Sequence, residues 1–381
     1  MHNQRAQNLY NISMRRHYID NIRTIIILLL IPYHAAMAFN TWGEPNYIML
    51  EESRVLSSFI TFCSPFFMPV LFVLAGMSTR FAMRKRTPGE YLKERLMRLF
   101  VPMLFGTAVL MPVMTYLAAR HNYSYKGTFL AHAGYFFTTV TDLTGADGAF
   151  SFGQFWFLLF LFVISYVALL IILLSRRISR KPHSPDTFSF TPPLWLVILL
   201  GLPLALLNNL LEVGGKSILA YLYLFLLGYY IFANEAVMAE FARFVTLLLP
   251  LGVLVSVANV YLFIWSPERH ELLNEITNFA AEWLMILATL GAGKRWLDRS
   301  NSTSKNMARK SFAFFSLHFI FVVLFQYLFG GFILPVSLAY AATLLAVEVF
   351  TRVPGLSVLL GVKGSDAGNS AKCSVSERKT E

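Results

Sequence analysis

Asp20-Asn21-Ile22-Arg23-Thr24-Ile25-Ile26-Ile27-Leu28-Leu29-Leu30-Ile31-Pro32-Tyr33-His34 is the stretch on which the reading of the whole chain turns. The aliphatic run from Ile25 to Ile31 reads as the middle of an apolar helix. In a helix, the eleven steps from Arg23 to His34 come to ~1100°, within about 20° of three full turns. The two side chains therefore share a face, ~16 Å apart along the axis, which is about half of a ~30 Å hydrocarbon core. Asp20 lies three residues before Arg23 on the same side, within reach of a local ion pair. One helix face thus carries a cation at a membrane boundary and an imidazole near the middle. A helix that only spans lipid needs neither group.

The composition around this stretch sets the class. Of 381 residues, 56% are hydrophobic and 14% charged, and the mean hydropathy is +0.57. Soluble domains are about one quarter charged, so the chain reads as an all-α, polytopic membrane protein. The polar, basic segment 1–18 precedes an apolar stretch with no small-residue cleavage site, which predicts a retained first span and not a signal peptide. Cys63 falls in an apolar span and Cys373 in a polar tail, an arrangement that predicts no structural disulfide.

Ten spans are expected: Ile22–Phe39, Phe59–Met83, Phe100–Ala119, Phe155–Leu174, Leu194–Leu211, Ser217–Ala233, Phe244–Trp265, Ile276–Ala292, Phe312–Phe329 and Phe332–Phe350. The eighth is the least apolar, with Asn278, Glu282 and Trp283 inside it. Cations gather at alternate loops: Arg5, Arg15 and Arg16; the run from Arg80 to Arg98; Arg176 to Lys181; Lys294 to Lys310; and the tail from Arg352 onward. By the positive-inside rule both termini are cytoplasmic. The net charge of +11 is then a topology signal, and no nucleic-acid partner is expected. Residues 1–363 form one integral-membrane domain, and the polar segment 364–381 is expected to be a disordered cytoplasmic tail. The longest stretch outside the spans, Arg120–Gly153, belongs to the outer side and is long enough to suggest a functional loop.

Several groups in this frame are able to carry chemistry. A neutral histidine is suited to general base catalysis near pH 7, and inside a span it has to face the bundle or water. The spacing alone leaves His34 open between that role and a hydrogen bond to a neighbouring helix. Arg23 reads either as a ligand-binding cation or as a headgroup anchor. Arg95 and Arg98, at i and i+3 before Pro102, are two guanidinium forks suited to phosphate, or else two positive-inside residues. Glu282 and His318 are intramembrane ionisable groups and so additional site candidates. Glu348 reads as the i, i+4 partner of Arg352. Metal-ligand spacings, phosphate-cradling glycine loops and nucleophile turns are not found, and no metal is expected.

Taken together, Tyr18-Ile19-Asp20-Asn21-Ile22-Arg23, ten residues, and His34 resemble the N-terminal signature of the acyltransferase 3 family of membrane O-acyltransferases. The Phe-rich segment Phe66–Met77, Arg95-Leu96-Met97-Arg98 with Pro102, Gln154-Phe155-Trp156-Phe157-Leu158, and Phe315-Ser316-Leu317-His318 are similar to later family segments, so the resemblance covers nearly the whole chain. Ala75 stands where the family often has Ser. Arg15-Arg16-His17-Tyr18 and Arg352-Val353-Pro354 look closest to the periplasmic-glucan succinyltransferases. The resemblance implies ten helices in the inner (plasma) membrane. It implies transfer of an acetyl or succinyl group from cytoplasmic acyl-CoA, a donor substrate and not a bound cofactor, to a hydroxyl of an extracytoplasmic glycan or lipid-linked acceptor. Residue by residue, it assigns Arg23 and His34 to the essential pair and Arg95 and Arg98 to the donor-side cations. The combined expectation is that Arg23, Arg95 and Arg98 hold the phosphates while the pantetheine arm, ~15–20 Å when extended, reaches toward His34 as base. A multi-span exporter of a small solute is the alternative, since midplane ionisable groups and broken helices describe that class too.

Overall fold

The computed structural model describes residues 16–141, 143, 146, 149–178, 191–268 and 270–362. Arg5, Arg15, Arg180, Lys181 and the tail 364–381 lie outside the described residues. All ten apolar segments read from the sequence fold as helix, and eight are long and apolar enough to cross a membrane. In chain order these eight are α1 (His17–Met37), α2 (Arg54–Ala82), α3 (Pro88–Asn122), α5 (Gly153–Ile178), α9 (Glu235–Trp265), α10 (Glu271–Trp296), α11 (Ser302–Phe329) and α12 (Ile333–Arg352). Inside the Arg120–Gly153 stretch lies a further helix, α4 (Phe129–Thr138). A short α13 (Pro354–Leu359) closes the described chain.

The fifth and sixth segments depart from expectation. The fifth is short and broken into α6 (Leu194–Leu199) and α7 (Leu202–Leu207), and the sixth, α8 (Ile218–Phe232), is also short. A break inside an apolar bundle frees carbonyls that water cannot reach. Here Trp283 Nε1 donates to Ile198 O at 3.0 Å and the Tyr223 hydroxyl donates to Leu200 O at 2.8 Å. Between α7 and α8, strands β1 (Glu212–Val213) and β2 (Lys216–Ser217) form an antiparallel hairpin. Its two-residue turn, Gly214-Gly215, has φ of +56° and +68°, the backbone such a turn demands and only glycine adopts freely.

The centre of the bundle is α2, which packs against α1, α8, α9 and α10. Its residues from Phe66 to Met77 are all buried. Pro65 and Pro69 do not break it; the helix is continuous through both. It crosses α8 at two glycines, where a Cβ on Gly76 would stand 1.9 Å from Phe225 O and one on Gly228 2.2 Å from Val73 O. Only hydrogens let the backbones meet this closely. On the other side of α1 lies α11, tied to it by Gln326 Nε2 donating to Ala35 O at 2.9 Å. The α1 face that carries Arg23 and His34 is therefore held between the central helix and α11.

At the basic end the elements are joined by charge. Glu235, an acid among cationic loops, pairs with both Arg16 and Lys294. Asn21 donates to Leu297 O and Arg299 O at 2.7 and 2.8 Å. Glu348 pairs with Arg352 at 2.7 Å, as its spacing predicts, and also with Lys310 across from α12 to α11.

Candidate active site

A cavity of about 1120 Å³ opens at the basic end between α1, α2, α3, α5, α11 and α12. Its wall carries ten basic side chains against three acidic ones, so its field favours an anion. Asp20, Arg23, Arg95 and Arg98, four of the residues singled out in the sequence, all line it. Arg23 Nη1 donates to Asp20 Oδ1 at 3.2 Å, the local pair expected from the spacing, and Nη2 donates to Ser78 Oγ at 3.0 Å. Ser78 is a residue that the sequence reading passed over. It lies three residues after Ala75, and both line the cavity.

The two α3 arginines are less alike than their i, i+3 spacing suggests. The turn Leu96–Phe100 is a π-helix, and such turns shift the register of side chains around them. Arg95 lies over the Tyr91 ring at 4.8 Å and donates to Thr79 Oγ1 at 3.4 Å. Arg98 is paired with Glu94 at 3.2 Å, and its side chain is 45% exposed. Arg98 is thus the freer cation of the two and Arg95 the more fixed one. Facing them across the cavity are Arg309 and Lys310 of α11 and Arg352 of α12. Their positions in the sequence signal only topology, and it is packing that brings them to the same space.

The far end of the cavity is apolar. Its walls run to Ile27, Leu71, Phe157 and Phe315, and the last two meet edge to face at 5.6 Å between ring centres. Beyond this pair sit the two histidines. His34 stacks on Phe319 at 4.0 Å, with an interplanar angle of 20°, and its ring centre is 5.3 Å from that of His318. His318 is fully buried, with Nδ1 at 2.7 Å from Phe315 O, whereas His34 is half-buried. The structure therefore unites two candidates that the sequence left as separate hypotheses. Phe315 joins the regions, since its ring closes the cavity and its carbonyl holds His318.

Glu282 is not brought to either place. It is buried in α10, accepts a hydrogen bond from Asn208 Nδ2 at 3.1 Å, and lies within electrostatic reach of Tyr221. Asn208, its partner, follows directly on α7, so Glu282 stands at the broken segment. Among the described residues no group of three or more His, Cys, Asp or Glu side chains is arranged to hold a metal ion.

The arrangement is one helix that presents a cation to an anion-attracting cavity and, about three turns further on, an imidazole packed among aromatic rings. A comparison with family profiles matches residues 16–351 to the acyltransferase domain of the acyltransferase 3 family. No curated protein and no solved structure matches the chain. The profile spans from the residue before α1 to the last turn of α12 and so takes in the cavity and both histidines, which shows that the chain belongs to the acyltransferase 3 family and is a membrane acyltransferase.

Proposed function

We propose that the enzyme transfers an acetyl or succinyl group from acyl-CoA at its basic, cytoplasmic end to a hydroxyl of a glycan or lipid-linked acceptor on the other side of the plasma (inner) membrane. The observation that carries this reading is the cavity. It is large enough for a nucleotide-sized ligand, slightly above the ~300–1,000 Å³ range of small-molecule sites, and its wall is rich in Arg and Lys. Phosphates are the anions that paired guanidinium forks hold best. Arg23, Arg95 and Arg98 take the phosphates, with Lys310 opposite. The pantetheine arm follows the apolar wall toward Phe157 and Phe315, whose rings have to part for the thioester to reach the histidines.

Among these rings His34 acts as general base. It takes the proton of the acceptor hydroxyl while the oxygen attacks the thioester carbonyl. The C–S bond then breaks, and the proton held on His34 leaves with the thiolate of CoA. Alignment of reacting groups on a rigid helix supplies part of the rate. The phenol of Tyr33, within hydrogen-bond distance of Ser64 at 3.1 Å and edge-on to His34 at 5.6 Å, forms the outer lip on which an acceptor would rest.

The test is acyl-CoA consumption by purified protein in detergent, with and without a glycan acceptor, for wild type against His34→Ala. Turnover by wild type and its loss in the variant support the reading. Wild-type protein that binds no acyl-CoA would overturn the donor assignment.

A further inference from the structure

The buried His318 has a fixed tautomer. Its Nδ1 is 2.7 Å from the carbonyl oxygen of Phe315. A carbonyl oxygen only accepts, so Nδ1 carries the hydrogen and donates it. In a neutral imidazole the other nitrogen, Nε2, is then an acceptor. That Nε2 is buried and meets no hydrogen-bond partner among the described residues. A buried acceptor left in this state is costly. The rings packed around His318 are those of Phe314, Phe315, Phe319 and His34. Of these only His34 has an N–H to give. The two imidazoles are tilted by 33° with their centres 5.3 Å apart and do not bond as they stand; a turn of the half-buried His34 ring is what brings one of its nitrogens to an N–H···N contact of ~3 Å with Nε2.

We propose that His318 is the positioning residue of His34: its Nε2 accepts a hydrogen bond from one ring nitrogen of His34 and leaves the other nitrogen unprotonated toward the acceptor hydroxyl. The pair performs with two imidazoles what a carboxylate–histidine pair performs elsewhere, in that the second group selects the tautomer and orientation of the base. When His34 takes the hydroxyl proton, the resulting imidazolium keeps its bond to His318 Nε2. The proton stays on His34 until the thiolate leaves with it, and His318 itself is never protonated. Two restraints hold the geometry. Gln326 bonds to Ala35 O, one residue from His34. Gln154 Nε2 donates to Ser316 O at 3.2 Å, two residues from His318. The inference rests on the assignment of His34 as base.

The experiment is a substitution series at His318 read in two ways. Gln places an amide oxygen where Nε2 stands, whereas Asn places its polar atoms near Nδ1 and Leu has none. His318→Gln is expected to keep kcat within about fivefold of wild type, and His318→Asn and His318→Leu to lower it by thirtyfold or more, with the KM for acyl-CoA unchanged in all three. CoA binding by each variant establishes that it is folded. Equal loss in the Gln, Asn and Leu variants, or an unchanged kcat in His318→Leu, overturns the proposal. The second reading does not need turnover. ¹⁵N-histidine spectra of resting wild-type protein should show one imidazole as the Nδ1–H tautomer, a signal absent from His318→Gln. An Nε2–H form for that residue overturns the proposal even if acyl transfer is established. If wild-type protein showed the Nδ1–H signal but no acyl transfer, the failure would lie with the proposed chemistry and not with the tautomer.

Discussion

The sharpest tests act on single residues. His34→Ala should leave acyl-CoA bound, because the phosphate ligands are ~16 Å away along α1, while transfer falls by the ~10²–10⁴ typical of a lost general base. His34→Gln separates chemistry from packing, since glutamine keeps hydrogen bonding but takes up no proton near pH 7. Turnover retained by His34→Gln would return the histidine to a packing role. The contrast with His318, where Gln is expected to function, makes the two imidazoles distinguishable by one substitution. At the donor end, Arg98→Ala removes a half-exposed cation paired with Glu94 and should raise the KM for acyl-CoA about tenfold, the equivalent of a charge-assisted contact of ~1.5–3 kcal/mol. Arg95→Ala should act on KM and on stability, since this side chain also covers Tyr91 and bonds to Thr79. An unaltered KM in both would assign them to topology alone. The Asp20–Arg23–His34 line was legible in the sequence because helix geometry is local and regular. The His34–His318 pair was not, because no local pattern states that α11 lies against α1. Ser78 was hidden for the same reason, its partner being on another helix.

Among the elements, the crossing of α2 and α8 should be the least tolerant of added volume. A methyl at Gly76 or Gly228 meets backbone on the facing helix, which cannot turn aside as a side chain does. Gly76→Ala and Gly228→Ala should each cost about 1–3 kcal/mol and lower the melting temperature of the detergent-solubilised protein. The double variant should lose less than the sum, because both changes open one contact. Gly89→Ala, with open space around it, is the control that should not move. Which helix Gly76 meets is not written in its own sequence, since the partner Gly228 lies about 150 residues away. The span pattern was legible wherever an apolar run exceeds a bilayer crossing. It misread the fifth segment because hydropathy does not register a backbone break whose carbonyls are satisfied by Trp283 and Tyr223. A pH effect belongs to α4, where buried His132 has Nε2 3.0 Å from Thr115 Oγ1. The Thr115 hydroxyl already donates to Met111 O, so His132 Nε2–H is the donor. Burial holds its pKa below the ordinary value of 6.5. The sign follows from the lowered value: the fold prefers neutral His132, so its contribution is complete above the unfolded value and is lost as pH falls below about 6.5. The protection of amides in Phe129–Thr138, measured against their intrinsic exchange rates at each pH, should therefore fall between pH 7 and 5 in wild type and less so in His132→Gln. An equal fall in both would free His132 of that role.

Across the whole molecule the distribution of charge is the largest signal in the sequence, and the structure gives it a second meaning. The cations that mark one side of the bundle by the positive-inside rule also surround the cavity, where Arg23, Arg98, Lys310 and Arg352 approach from four helices. Topology and the proposed donor site thus draw on the same residues, which is why neither reading of Arg23 or Arg95 was decidable from spacing. Their convergence depends on tertiary packing, whereas the excess of positive charge at one end needs only the order of the loops. The shared basis makes orientation a test of the mechanism as well as of topology. With Cys63 and Cys373 replaced, single cysteines at Glu51 and Lys126 should react with an impermeant thiol reagent added outside intact cells. A cysteine at Lys93 should react only after the membrane is opened. All three native side chains are exposed, so reactivity reports the side of the membrane and not burial. Labelling of Lys93→Cys from outside would place the cationic cavity away from cytoplasmic acyl-CoA, and the donor assignment of Arg23, Arg95 and Arg98 would fall with it.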